Sequence, residues 1–343
     1  MDGNTVRENV PLGEYTTLRV GGPARYFFVA CTGDDVERAV SFAKEKFLPI
    51  FVLGGGSNIL VSDEGFPGVV IKNEIKGIEY EDHGDAVLVT AGAGEVWDDL
   101  VRETVARDLY GLENLSLIPG TVGAAPIQNI NAYGAHVGDT IESVEVFDSE
   151  TMRVRTMSHA ACGFAYRQSM FKKEKHLIVT KVTFILSRER AINGSYKDVE
   201  KYFERKRITA PTLAQTRDAV VAIRTGKLPD IKKVGTAGSF FMHPIVSQKS
   251  AEELQARFPD LSFVPYTEGA VKIIAGRLLD TLGWKGVREG NVGTHATHAL
   301  AIINYGTHNA QEIYNFASRM KKDAKEKTGV EIEFEVRIVG DFS

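Results

Sequence analysis

The chain has 343 residues and a formal net charge of -4. That length is enough for about two domains with large cores, and that charge leaves no basic field for nucleic acid. Two cysteines, Cys31 and Cys162, are too few for a disulfide framework. With no apolar h-region near the start and no run of membrane-spanning length, the expectation is a cytoplasmic protein that engages neither nucleic acid nor membrane.

In chain order, the aromatic and β-branched stretch Ala24–Ala30 predicts a strand. A helix is expected from about Asp34, with Val36, Ala39, Val40, Ala43 and Phe47 on its inner face. Pro49–Leu53 predicts a second strand running straight into Gly54-Gly55-Gly56-Ser57-Asn58, which gives a βαβ unit with a glycine turn at the carboxyl end of its second strand. The turn is not a dinucleotide fingerprint, because position 59 is Ile59 and Ile59-Leu60-Val61 reads as extended chain, followed by a turn over 62–68. A concavity of backbone N–H groups around a diphosphate and a plain strand-to-strand turn both remain open.

A second unit resembles the first: strand Ala86–Ala91, glycine turn Gly92-Ala93-Gly94, and an amphipathic helix Glu95–Arg107 with Trp97, Leu100, Val101 and Val105 on one face. The stretch Gly111–Gly138 then has no run long enough for one regular element, yet carries too much apolar surface for disorder. Glycines 120, 123 and 134 permit close backbone approach. Packing on a bound cofactor and packing on itself are both compatible with that pattern.

Strands are expected at Ile141–Asp148 and Leu177–Leu186. Between them Arg167 stands near Tyr166 and Phe171, either as an ordinary exposed arginine or, partly desolvated, as a carboxylate receptor. Residues 188–207 turn charged, with an Asn193-Gly194 turn and the triplet Arg205-Lys206-Arg207 on a solvated helix face. A helix over Pro211–Thr225 leads to a domain boundary near Asp230. Ser239 lies in a glycine-rich patch without a nucleophile elbow, so a hydrolase is disfavoured and a turn serine is the default. His295 and His298 have HxxH spacing, but flanking glycines argue for a loop and against metal. A helix Ala310–Lys327 buries Ile313, Phe316, Ala317, Met320 and Ala324, and a closing strand Val330–Val339 alternates strictly, with Glu331, Glu333 and Glu335 on one face.

The blocks VLGGGSNILV (52–61), GLENLSLIPGTVGAAPIQNINAYG (111–134), FAYRQSMF (164–171), KLPD (227–230), GTAGSFF (235–241) and FEVRIVG (334–340) together resemble the UDP-N-acetylenolpyruvoylglucosamine reductase family, over nearly the whole chain and in the family's block order. SYKDVEKYF at 195–203 resembles the tyrosine-bearing loop of one of its two subtypes. The resemblance implies an α+β fold: a two-part FAD-binding α/β domain of the vanillyl-alcohol-oxidase (PCMH) type at 1–228, with lobes of about 1–72 and 73–228 completed by a C-terminal strand at 330–343. A smaller α/β substrate-binding domain would occupy 229–329. It implies bound FAD, NADPH as co-substrate, UDP-N-acetylglucosamine enolpyruvate as the small-molecule substrate, and a monomer.

Residue by residue, the resemblance implies catalytic roles for Ser239 as proton donor and for Arg167 and Glu335 at the substrate carboxylate. Gly54, Gly55, Gly56, Ser57 and Asn58 would take the diphosphate. Ile118, Pro119, Gly120, Gly123, Ala124, Gln128 and Asn129 would line the flavin, and Arg224 falls in the same cofactor set. Tyr196, Lys227, His243, Lys285 and His298 would touch substrate. His243 and His298 depart from the family pattern, which has asparagine and glutamine there, so affinity and its pH dependence are the properties in doubt. A flavin oxidase of the same superfamily acting on a sugar or alcohol is the alternative, and a non-catalytic flavin protein a third reading. Neither gives Ser239, Arg167 and Glu335 a reason to occur together.

Overall fold

The computed structural model describes residues 6–189 and 196–342, so the Asn193-Gly194 turn lies outside the described residues. The chain divides into two compact units. One comprises Met1–Val10, Ala24–Gly55 and Pro67–Gly226; the other comprises Pro11–Pro23, Gly56–Phe66 and Lys227–Ser343. The division therefore passes through the glycine turn, between Gly55 and Gly56.

In the first unit a four-stranded sheet runs in the order Arg7–Pro11, Pro23–Ala30, Phe66–Asn73, Ile50–Leu53, its last two strands parallel. The helix Gly33–Glu45 covers it, started by a capping box in which Thr32 and Asp35 satisfy each other's amides. Val36, Ala39, Val40 and Ala43 bury as the spacing predicts, but Phe47 does not. The helix stops at Glu45, Phe47 takes a left-handed φ of 54°, and its ring is 95% exposed. The expected βαβ unit also has a third strand between its two members. The strand Phe66–Asn73 begins inside the stretch expected to be a turn.

The second sheet of this unit corrects the expectation of a repeated βαβ unit. It is antiparallel throughout, in the order Arg153–Ser158, Ile141–Asp148, Leu177–Ser187, Ala86–Gly92, Ile78–His83. Its two outer strands escape sequence reading for one reason: both are edge strands, exposed along most of their length, so no apolar alternation marks them. The helix Trp97–Ala106 packs Trp97, Leu100, Val101 and Val105 into the core beneath, each such side chain stabilising the fold by about 1.5–3 kcal/mol. The helices Lys197–Lys206 and Leu213–Lys227 pack on each other through Val199, Phe203, Ala219 and Val220, while Arg205, Lys206 and Arg207 stay exposed.

In the second unit an antiparallel sheet runs in the order Gly235–Ser239, His298–Asn304, Val292–His295, Arg288–Glu289. A three-stranded sheet orders Ile245–Ser247, Ala270–Ile273, Phe263–Thr267. The helices Gln248–Arg257, Ala275–Thr281 and Ala310–Thr328 complete it, the last burying the expected inner face. His295 and His298 are not in a plain loop: they face each other as the closing pair of a hairpin whose tip is Ala296-Thr297. The closing strand is shorter than its pattern. Val330, Ile332 and Val336 are buried and Glu331 and Glu333 exposed, but a continuous ladder forms only at Arg337–Val339, parallel to Ile59–Val61. Before that the extended chain bonds successively to Met242, Phe240 and Asn58.

Candidate active site

In the first unit two glycine-bearing segments meet backbone to backbone. A Cβ on Gly54 would lie 2.6 Å from the Thr121 hydroxyl, and one on Gly55 would lie 2.8 Å from the Gly120 Cα. A Cβ on Gly123 would lie 2.5 Å from that of Ala93, whose carbonyl accepts the Gly123 N–H at 2.9 Å. Val122 donates to the Glu95 carbonyl at 2.9 Å, and Trp97 N–H donates to Gly120 O at 3.1 Å. Ala124 faces Gly54 in ordinary contact, Ile118 packs on the core edge, and Pro119 is exposed. The segment 118–124 is thus fixed on one side, with Leu117, Pro119 and half-buried Gly120 left towards solvent.

Beyond it the chain turns through Ala125–Gln128 and reaches Asn129 in the left-handed region, φ 41°. Asn129 is buried and serves the protein: Nδ2 donates to Ala165 O at 2.9 Å and Oδ1 accepts Gly138 N–H at 3.0 Å. Ser169 Oγ donates to Ile127 O at 2.8 Å. These two bonds anchor a tight turn closed by reciprocal Ala165–Gln168 bonds of 3.0 Å, with Arg167 at its tip in the left-handed region, φ 53°. Such backbone costs about 1–3 kcal/mol per residue unless the surroundings hold it.

Arg167 and Arg224 lie within electrostatic reach of each other, and Arg224 also hydrogen-bonds the Tyr133 hydroxyl. Burial, with Arg167 adding repulsion, holds Arg224 below the ordinary arginine value, while burial pushes the Tyr133 hydroxyl up. The Tyr133 ring meets Tyr196 edge to face, centroids 5.3 Å apart, and Tyr196 is 43% exposed. Gln128 Oε1, Asn131 Nδ2 and Arg224 Nε are buried with no partner among the described residues. An orphaned buried polar atom costs about 1–3 kcal/mol, which a bound polar molecule would offset. Asn131 lies inside the motif block 111–134, but sequence reading did not single it out.

In the second unit Gly56 and Asn58 support the backbone. Gly56 adopts φ +61°, and a Cβ there would strike the Tyr15 carbonyl. Half-buried Ser57 lies between them in the turn. Asn58 Nδ2 donates to the Glu335 carbonyl at 3.1 Å and Asn58 O accepts the Arg337 N–H at 3.0 Å. Glu335 N–H donates to Phe240 O at 2.9 Å, and Phe240 N–H to Leu300 O at 2.9 Å. Ser239, opposite Ala301 at a bulge that follows left-handed Gly238, is therefore one residue from the carbonyl that holds Glu335. Both Ser239 and Glu335 are half-buried, which separates Glu335 from exposed Glu331 and Glu333. Ser239 ends a strand instead of sitting in a plain turn.

The remaining candidates of this unit gather around the Ala275–Thr281 helix. His243 Nδ1 accepts the Ala275 N–H at 3.2 Å, which places its proton on Nε2. A Cβ on Gly276 would lie 3.8 Å from His298 Cε1. Burial, then His295 and Lys227, hold His298 below its ordinary value, with Asp280 opposing. Lys285 Nζ donates to Asp280 Oδ2 at 2.6 Å, leaving Asp280 Oδ1 buried and without a partner among the described residues. Lys285 thus meets Asp280, while Asp280 and Lys227 both act on His298. Sequence reading missed Asp280 because a lone aspartate on an amphipathic helix carries no distinguishing pattern.

The match to known proteins covers both units. Residues 24–157 match a family model described as "FAD binding domain", and residues 230–339 match "UDP-N-acetylenolpyruvoylglucosamine reductase, C-terminal domain". The chain is 40% identical over 330 residues to the UDP-N-acetylenolpyruvoylglucosamine reductase of Pseudomonas aeruginosa, covering 96% of this chain and 97% of that one. It is 38% identical over 338 residues to that of Flavobacterium johnsoniae, covering 97% and 99%. The solved UDP-N-acetylenolpyruvylglucosamine reductase of Thermus caldophilus aligns with a TM-score of 0.69 and 28% identity over 98% of this chain and 100% of that one. A 4-ethylphenol oxidase from Gulosibacter chungangensis aligns at 0.56 with 11% identity over 97% and 86%, a likeness of fold alone.

Proposed function

The chain belongs to the UDP-N-acetylenolpyruvoylglucosamine reductase family, and from that premise we propose how its own residues divide the work. It is an FAD-dependent oxidoreductase that uses NADPH to reduce UDP-N-acetylglucosamine enolpyruvate to UDP-N-acetylmuramate, a peptidoglycan precursor. The fold is the two-part FAD-binding type joined to a smaller α/β domain. The oxidase alternative has only a fold likeness behind it.

The residues present suit FAD. At Gly54, Gly55 and Gly123 a side chain would strike neighbouring chain, so glycine brings two irregular segments backbone to backbone, the kind of main chain that can turn N–H groups towards a diphosphate. The unpartnered Gln128 Oε1 and Arg224 Nε offer an acceptor and a donor. When bound, FAD supplies the hydride chemistry, taking a hydride from NADPH and giving one to the enolpyruvyl methylene carbon. Negative charge then develops at C2 and the carboxylate of the substrate. Arg167 neutralises that carboxylate, an electrostatic effect worth several kcal/mol where water is excluded. The Ser239 hydroxyl gives its proton to C2, which a weak acid can do because the receiving carbon is strongly basic and in contact. Glu335 orients the carboxylate, while Tyr196, Lys227, His243, Lys285 and His298 hold the nucleotide sugar.

The observation that carries this assignment is the Glu335 N–H to Phe240 O bond, which sets the carboxylate residue on the chain segment that pairs beside the serine. Following the family resemblance, we place the chain in the cytoplasm as a monomer. Among the described residues no helix is long and apolar enough to cross a membrane. Light scattering tests the oligomeric part. The main test is anaerobic: reduce the flavin with NADPH, add the enolpyruvyl substrate and follow the visible band. The expected result is rapid return of the oxidised band without oxygen. A band that recovers only in air would overturn the reductase assignment.

A further inference from the structure

We propose that Asp98 and Arg217 are a positioning pair that presets the backbone at 117–120 and locks it to the helix face carrying Arg224, resting on the reading that FAD lies along that segment. The first turn of the Trp97–Ala106 helix holds this stretch at three points. Trp97 Nε1 donates to Leu115 O at 2.9 Å, Trp97 N–H donates to Gly120 O at 3.1 Å, and Asp98 Oδ1 accepts the Leu117 N–H at 2.5 Å. Leu117 needs such a bond. It has φ 58° and a side chain 37% exposed, so neither intrinsic preference nor burial holds it in the left-handed region. Three residues further on, Gly120 is the backbone that Gly55 packs against.

Arg217 completes the arrangement from 60 residues beyond the part of the chain that matches the FAD-binding family model, since that match ends at 157 (217 minus 157). Its Nη1 and Nη2 grip Asp98 Oδ1 and Oδ2 at 2.8 Å each, a two-pronged geometry that fixes the carboxylate plane. The two side chains are only 13% and 21% exposed, so this is not a solvated surface pair. Burial favours the neutral acid, but the Arg217 fork and the Leu117 N–H outweigh it and hold the Asp98 carboxyl below its ordinary value. Arg224 follows Arg217 by two helical turns, on the same face of Leu213–Lys227, and Asp98 acts on its charge. One carboxylate thus sets a left-handed backbone residue, the rotation of a helix and the field at a buried guanidinium. A brace between two helices would account for the fork alone; the third bond, to the residue just before the cofactor-lining stretch, is what makes the pair a positioning device.

The test compares wild-type holoenzyme with Asp98→Asn and Arg217→Lys. FAD dissociation is read by flavin fluorescence on dilution, the flavin environment by visible circular dichroism, and stability by thermal midpoint with and without added FAD. Asp98→Asn keeps the shape but loses the charge. Arg217→Lys keeps the charge but loses the fork, and it carries the test if the first variant fails to fold. In Asp98→Asn the FAD Kd should rise about tenfold or more, roughly the loss of one charge-assisted hydrogen bond. The visible dichroism should change, and the rise in midpoint on adding FAD should shrink; Arg217→Lys should show the same pattern, smaller. Equal loss of midpoint with and without FAD, with unchanged Kd and dichroism, would overturn the pair as a positioning device and leave a structural brace. A wild-type protein that shows no flavin band would instead overturn the FAD reading, and the pair's role with it.

Discussion

In the first unit the candidate groups stand on irregular backbone: Leu117, Asn129, Tyr133 and Arg167 have φ values of 58°, 41°, 48° and 53°, and side-chain bonds hold the turns in place. In the second unit Ser239 and Glu335 stand on extended chain, and main-chain bonds of 2.9 Å between adjacent segments set their spacing. The contrast suits what each region is proposed to handle. A large planar cofactor needs main-chain N–H and C=O groups left outside any ladder, and close approach that excludes Cβ atoms. A proton donor and an orienting carboxylate work on one small centre, where a tolerance of about 0.5 Å is needed and main-chain bonds between extended segments supply it.

Removing the proton donor should break the contrast most. In Ser239→Ala, reduction of the flavin by NADPH should proceed at the wild-type rate while turnover of the enolpyruvyl substrate falls by about 10²–10⁴-fold. Stopped-flow measurement of the two half-reactions separates them, and unchanged turnover would remove Ser239 from its role. The glycine cradle comes next. Gly55→Ala and Gly123→Ala place a Cβ 2.8 Å from the Gly120 Cα and 2.5 Å from the Ala93 Cβ, atoms that cannot swing away. Each should cost about 1–3 kcal/mol in thermal unfolding and lower the flavin content of purified protein, seen in its visible-to-ultraviolet absorbance ratio. A Gly33→Ala control, where a Cβ meets nothing within 4 Å and φ lies outside the left-handed region, should show no such loss and isolates the clash as its cause.

Asn129→Ala sharpens the view of this unit as one held by side chains. It removes bonds to Ala165 O and Gly138 N–H and should cost about 1–3 kcal/mol. Because the lost Ala165 bond anchors the Arg167 turn, substrate KM should rise more than the KM for NADPH. Equal changes in both would detach Asn129 from Arg167. The smallest effect is expected at His298. Its folded value lies below the ordinary 6.5 because of burial, His295 and Lys227. As pH falls through 6.5 the unfolded chain takes up this proton before the folded one, so the contribution is intact above that pH and is lost as pH falls towards the folded value. His298→Gln should therefore flatten the fall in denaturant midpoint between about pH 7 and pH 5.5. A slope identical to wild type would show that His298 does not titrate differently on folding.

Elements with a strong period were legible from residues alone. The inner faces of the helices at 97–106 and 310–328 bury as their spacing predicts, and the alternation at 330–336 marks which side chains go inside. The irregular stretch 111–138 was legible as a packed loop by elimination, and the cofactor role proposed for it came from motif resemblance. The sequence could not show that Asn58, placed by resemblance among the cofactor residues, gives its amide to the Glu335 carbonyl, nor that Asn129 spends both amide functions inside the protein. Those outcomes depend on partners 277 and 36 residues away.

Local pattern, then, determined the element types and the buried faces, because periodicity is a property of neighbouring residues. Tertiary structure decided which glutamate of three is half-buried, that the strands Ile78–His83 and Arg153–Ser158 lie at sheet edges, that Asp98 meets Arg217 and that Asp280 meets Lys285. No local period encodes which group a charge or an amide will meet: Asp98 and Arg217 are 119 residues apart, and even the five-residue spacing of Asp280 and Lys285 does not mark them as partners.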